Sequence, residues 1–142
     1  MRTKQHGFTL IEVMVVVVIL GILAAVVVPR IMSRPDEARS VKAQQDIRAI
    51  GAALDLYKLD NFQYPTTALG LESLVTRPAT LPQGANWRAG GYLPRMPKDP
   101  WGAAYQYLAP GQHGEYDLYS LGADGTLGGE GSNRDIGNWE VE

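Results

Sequence analysis

The chain has no cysteine, which excludes disulfides, thiolate metal sites and cysteine nucleophiles. Histidine is almost as scarce. His6 lies among the first residues and His113 in a glycine-rich stretch, where one imidazole near Glu115 and Asp117 reads as a surface residue before it reads as a general base. No phosphate-binding glycine loop, zinc-ligand spacing or serine elbow occurs, so no enzymatic activity is expected. An excess of basic charge is also missing. Thirteen Lys and Arg stand against fifteen Asp and Glu, a formal net charge of -2; without Arg2 and Lys4 the balance is eleven to fifteen, or -4. Nucleic acid is therefore not an expected partner.

Polar side chains are absent from one long stretch. Residues 8–28 hold only Thr9 and Glu12 as clearly polar members, and none is polar from residue 13 to residue 28. At about 1.5 Å per residue such a helix covers roughly 30 Å, the thickness of a bilayer's hydrocarbon core. A secretory signal would be shorter, and around Ala24 and Ala25, where its cleavage site would be sought, the valines and Pro29 continue the apolar run. Arg2 and Lys4 precede the span, whereas Arg30, Arg34, Arg39 and Lys42 follow it, so counting basic residues does not place the amino end inside. A seven-residue leader is nevertheless easily retained in the cytoplasm, while a long domain translocates largely regardless of charge. The expected division is a basic leader (1–7), a transmembrane helix (8–28) and a domain beyond the membrane (29–142).

Glu12 needs a reason, because a carboxylate within a bilayer costs at least about 2.5 kcal/mol and is usually paired or functional. Two readings stand at this point: an acid that works inside an apolar assembly, or one that snorkels to the headgroups. Beyond the span, Pro29 either kinks the helix or bends it, and Ser33, Pro35, Asp36 and Glu37 supply a possible restart. A continuous helix with two bends is the simpler expectation. Ala43, Ile47, Ile50, Leu54 and Tyr57 then mark one helical face, and the pattern stops at Asp60 and Asn61. That is too short for a coiled coil, so the stripe should pack on a small sheet.

Residues 68–75 form a short helical candidate, with Thr66 and Thr67 as caps and Arg77-Pro78 as its end. Prolines and glycines break the rest of residues 62–98 into loop. Asp99-Pro100-Trp101-Gly102 reads as a tight turn, and residues 104–108 and 116–121 as an antiparallel hairpin. Residues 121–139 are glycine-rich and carry Asp124, Glu130 and Asp135, with Arg134 the only basic residue. Such a loop is either a solvated acidic turn or a calcium site built from carboxylates and carbonyls; its spacing is not that of an EF-hand.

Gly7-Phe8-Thr9-Leu10-Ile11-Glu12, followed by Val13-Met14-Val15-Val16, resembles the processing site and helix of type IV pilins and pseudopilins. The likeness continues through Tyr57-Lys58-Leu59-Asp60-Asn61, Tyr64-Pro65-Thr66-Thr67, Asp99-Pro100-Trp101-Gly102, Leu121-Gly122-Ala123-Asp124-Gly125 and Asp135-Ile136-Gly137-Asn138-Trp139. Together these motifs resemble the major pseudopilins of type II secretion systems over nearly the whole chain. Type IV pilins for adhesion, motility or DNA uptake are the alternative, but they commonly carry a carboxy-terminal cysteine pair.

The resemblance implies an α+β, pilin-like fold in which a long amino-terminal helix, transmembrane then amphipathic, packs on a small antiparallel sheet. It implies cleavage between Gly7 and Phe8 by a prepilin peptidase, N-methylation of Phe8, and pairing of Glu12 with the Phe8 amine of a neighbouring subunit. One calcium ion is implied, held by Asp124 and Asp135 and the carbonyls of Leu121 and Thr126, with Ser132 completing the shell. Arg134 stands where some members carry an acid, so Asn133 or a water would substitute. The implied setting is the inner membrane, with the carboxy-terminal domain in the periplasm. There the chain would form a homopolymer with minor pseudopilins, drawn out by an inner-membrane assembly platform, to promote export of folded proteins.

Overall fold

The computed structural model describes the backbone of residues 7–140 and the side chains of residues 7–27 and 35–140. Two compact units are distinguished, residues 1–36 and 37–142. Helix α1, Leu10–Asn61, contributes its first part to one unit and the remainder to the other. Thr9 begins it as a cap, its Oγ1 accepting the Glu12 N–H at 3.4 Å. Every side chain from residue 10 to residue 27 is exposed, as expected of a helix that has no protein partner within its own unit. The backbone of α1 runs through Pro29 and Pro35 as one helix, the continuous element expected in place of a restart, while the Ser33 side chain lies outside the described residues.

In the second unit the anticipated stripe is the core. Ala43, Ile47, Ile50, Leu54 and Tyr57 are buried together with Leu74, Leu118 and Ile136. Burying a side chain the size of Leu or Ile contributes roughly 1.5–3 kcal/mol, so this face fixes the helix to the 3-10 turn and the sheet that supply those partners. The helix ends with Phe62 at φ 64°, its N–H donating to the Lys58 carbonyl at 2.6 Å. This is a left-handed C-cap, made here by a bulky residue rather than by glycine.

The helix expected at 68–75 is instead a 3-10 turn, Leu71–Leu74. Gly70 at φ 63° and ψ -176° cannot continue a helix, so Ala68 and Leu69 stay in a separate turn and only Leu71, Ser73 and Leu74 are buried. At Asp99-Pro100-Trp101-Gly102 the expected turn is present, closed by Gly102 N–H to the Asp99 carbonyl at 2.9 Å.

The sheet has three strands in the order β1-β2-β3. Strands β1, Gln106–Leu108, and β2, Asp117–Ser120, form the expected antiparallel hairpin, with Tyr107 opposite Leu118. β1 is shorter than expected because Ala104 pairs with Lys98 across the preceding turn. Strand β3, Ile136–Gly137, was not anticipated; it pairs with the other edge of β2, placing Ile136 opposite Ser120. The α+β architecture, a helix whose apolar stripe is covered by a small antiparallel sheet, is thus the one expected.

Candidate assembly helix and carboxy-terminal loop

Gly7, Phe8 and Thr9 lie ahead of the helix in irregular backbone. Gly7 is exposed with open space about it, and the Phe8 side chain is 85% exposed. Glu12 sits in the first turn of α1, where a negative charge favours the positive end of the helix dipole. Thr9-Leu10-Ile11-Glu12 thus has the sequence of a capping box, of which the Thr9 half is made.

The other candidate residues fall in the loop between β2 and β3. Leu121 is half-buried directly after β2, and Asp124 is exposed, its Oδ1 accepting the Thr126 N–H at 3.1 Å. The Ser132 carbonyl accepts the Ala123 N–H at 2.9 Å, drawing the two arms of the loop together. A side chain at Gly122 would come within 2.8 Å of the Asn133 and Arg134 backbone, and one at Gly129 within 2.6 Å of the Asn133 carbonyl. Both glycines have positive φ, so their conformation and the close approach each require glycine.

Asp135 is the least ordinary of these residues. Its Oδ2 accepts the Gly128 N–H at 2.9 Å, whereas its Oδ1 is buried with no hydrogen-bond partner. A buried acceptor without a partner costs about 1–3 kcal/mol, and more when charged, so this oxygen suits a bound cation. Among the described residues no group of three or more His, Asp or Glu converges to hold a metal. Carboxylates such as those of Asp124 and Asp135, with backbone carbonyls, are the kind of oxygen donor that calcium accepts, six to eight in flexible geometry. Arg134 is turned toward Glu140, 3.8 Å from its Oε2.

Several supporting residues were not recognised as such from sequence. Asn138 acts as a side-chain rung on β2: Oδ1 accepts the Leu118 N–H at 2.8 Å, and Nδ2 donates to the Tyr116 carbonyl at 3.1 Å. Trp139 stacks on His113 with centroids 4.0 Å apart and covers Gly137, where an added Cβ would meet its ring at 2.5 Å. His113 is structural, with Nδ1 3.1 Å from Asp117 Oδ2. The Asn-Trp pair was visible in the sequence; these contacts cross from the turn after β3 to β2 and the loop before it and carry no periodic signal.

The family model described as type II secretion system (T2SS), protein G, matches residues 30–139. The chain belongs to the type II secretion system protein G family. A model of the prokaryotic N-terminal methylation motif matches residues 2–28. Among relatives of the protein G family, the type II secretion system core protein G of Pseudomonas aeruginosa is 64% identical over 98% of this chain and 98% of its own length. That of Vibrio cholerae is 60% identical over 98% of this chain and 94% of its own. The crystal structure of the major pseudopilin from the type 2 secretion system of enterohaemorrhagic Escherichia coli superposes with a TM-score of 0.70 at 44% identity, covering 78% of this chain and 91% of that one. These similarities support the secretion pseudopilin reading, not the adhesive or motility pilin.

Proposed function

We propose that this chain is the major structural subunit of a type II secretion pseudopilus, polymerising through α1 to promote export of folded proteins across the outer membrane. One observation carries the reading: residues 10–27 of a protein G family member are apolar, helical and exposed, and carry a single acid. Such a surface suits lipid before assembly and identical helices after it. The family is structural, and its members are not known as enzymes.

Processing fits the local backbone. Prepilin peptidase would hydrolyse the Gly7–Phe8 amide, leaving a carboxylate on Gly7 and an amine on Phe8, which then accepts a methyl group. That bond lies in irregular, exposed chain ahead of the Thr9 cap, where a peptidase can bind it without unwinding α1. The new ammonium stands close to the positive end of the helix dipole, an unfavourable position that a carboxylate offsets. Glu12 of a neighbouring subunit supplies it, neutralising both charges within an apolar core and fixing axial register.

In the remaining reading, residues 1–7 are the leader and 8–28 span the inner membrane. Residues 29–142 occupy the periplasm, and minor pseudopilins and an inner-membrane platform join the assembly. One calcium ion braces the 121–139 loop: Asp124 and Asp135 would bind through side chains, Leu121, Thr126 and Ser132 through carbonyls, with Asn133 or water in place of the acid that Arg134 displaces. The buried Asp135 Oδ1 supports this. Calcium would supply charge neutralisation at the loop and no chemistry. Gene deletion tests the function: secreted proteins should accumulate in the periplasm while twitching motility persists. Loss of twitching with secretion intact overturns the reading. Intact mass and amino-terminal sequencing should find methylated Phe8.

A further inference from the structure

Asp124 precedes Gly125, and every other aspartate or asparagine of the chain is followed by a residue that carries a side chain. That difference is chemical. The backbone nitrogen after an acidic residue can attack the side-chain carboxyl carbon, and a side chain on the attacking residue hinders the approach, whereas glycine has none. The fold leaves this pair open. Both residues are exposed, Gly125 has φ 67° with no atom near the position of a Cβ, and its N–H meets no acceptor among the described residues. Asp124 Oδ1 accepts the Thr126 N–H at 3.1 Å. This bond closes a ring around the 124–125 peptide and so holds the carboxyl carbon on the side of the Gly125 nitrogen. By contrast, the carboxylates of Asp99 and Asp117 are buried and fastened by several donors.

We propose that Asp124-Gly125 is a site of spontaneous isomerisation that ages the carboxy-terminal loop. The Gly125 nitrogen bonds to Asp124 Cγ, its proton and the carboxyl's hydroxyl leaving together as water, and the product is a cyclic succinimide. Water then adds to the Asp124 main-chain carbonyl carbon and breaks that carbon's bond to the Gly125 nitrogen. The former backbone carbonyl becomes a carboxylate, and the chain continues through Cγ as isoaspartate. One water leaves and one enters, so neither an oxidant nor a cofactor takes part. The product is longer by one main-chain carbon between Ala123 and Gly125, and its carboxylate no longer stands where the Thr126 N–H finds its acceptor. This link lies between two ties, Ala123 N–H to the Ser132 carbonyl at 2.9 Å and Gly128 N–H to Asp135 Oδ2 at 2.9 Å. Lengthening it works against both, and the loop loosens. The isomerisation does not depend on the calcium reading.

The test keeps the full-length chain folded in detergent with chelator at neutral pH for weeks. Isoaspartate is then quantified with an isoaspartyl methyltransferase and located by peptide mapping. It should collect at residue 124, severalfold less at any other position, and at a rate comparable with that of a synthetic peptide of residues 121–127. Protease cuts within the loop should increase in step. No isoaspartate at residue 124, equal amounts at Asp46 or Asp55, or a rate an order of magnitude below the peptide's overturns the proposal. Asp124→Glu keeps the charge but closes the ring far less readily, so both the methylation and the growth in protease cuts should disappear. Cuts that grow at the parent's rate in this variant overturn the ageing of the loop by isomerisation. Saturating calcium separates this inference from the calcium reading: if Asp124 is a ligand the reaction slows, whereas an unchanged rate supports an open isomerisation site and counts against Asp124 as a ligand.

Discussion

Asp99 and Ser120 are joined by a buried hydrogen bond of 2.7 Å, Ser120 Oγ donating to Asp99 Oδ2. The other carboxylate oxygen accepts the Trp101 N–H at 3.1 Å and the Ala103 N–H at 2.7 Å, while Ser120 Oγ accepts the Gly122 N–H at 3.2 Å. One acid therefore ties the 99–102 turn to the end of β2, where the carboxy-terminal loop begins. Asp99→Ala leaves one buried donor and two part-buried ones without their partner and should lower unfolding free energy by about 2–3 kcal/mol. Denaturant unfolding of the detergent-solubilised chain measures this, and a loss under about 1 kcal/mol contradicts the anchoring role.

Much of this framework was legible because it is local. The Ala43 to Tyr57 stripe has helical period, the Asp99 turn has proline and glycine at their required positions, and the hairpin has apolar runs between breakers. What was not legible depends on contacts distant in the chain. β3 is two residues long and shows no alternation; it exists because Ser120 and Tyr119 have a free edge and Asn138 continues the ladder with its side chain. Gly70 stopped the helix expected at 68–75 through a backbone conformation that the pattern of apolar residues does not report. In the loop, the acids were apparent from composition, but the buried, unpartnered Asp135 Oδ1 required the fold.

Acid should loosen the 111–117 loop before the core. Burial raises the Asp117 carboxyl, but hydrogen bonds from the backbone of Gln112 and His113 and from the His113 ring outweigh it, leaving the group below its ordinary value of 3.8. A depressed folded value means stability present above 3.8 and lost as pH falls through the lower folded value. Asp117→Asn should therefore cost about 1–3 kcal/mol at neutral pH, with the difference from the parent shrinking below pH 3.8. Unfolding curves across that range check it; a difference constant with pH points to packing instead.

Chelation should act on the loop through Asp135. If calcium satisfies its buried oxygen, removing the ion leaves a charged acceptor unpaired, and Tm should fall by several degrees while protease cuts appear within residues 121–135. Asp135→Ala should abolish the response to added calcium. Asp124→Ala, at the exposed one of the two proposed carboxylate ligands, should weaken affinity at least about tenfold, each 1.4 kcal/mol of lost binding being a factor of ten. Identical Tm and proteolysis with and without chelator would remove calcium from the account.

Glu12 has two possible duties, and one substitution separates them. At the N3 position of a capping-box sequence it can be glutamate or glutamine, since either side chain is long enough to reach back to the N–H of the cap residue. As the partner of a neighbouring Phe8 ammonium it must carry charge, because an uncompensated ammonium in an apolar filament core costs several kcal/mol. Glu12→Gln should keep cleavage after Gly7 and helical content unchanged by circular dichroism, yet reduce polymer formation at least about tenfold. Glu12→Ala should lose polymer equally and also fray the first turn of α1. Normal assembly of the glutamine variant would assign Glu12 to capping alone, and the axial register of the filament would then have to come from contacts of the second unit.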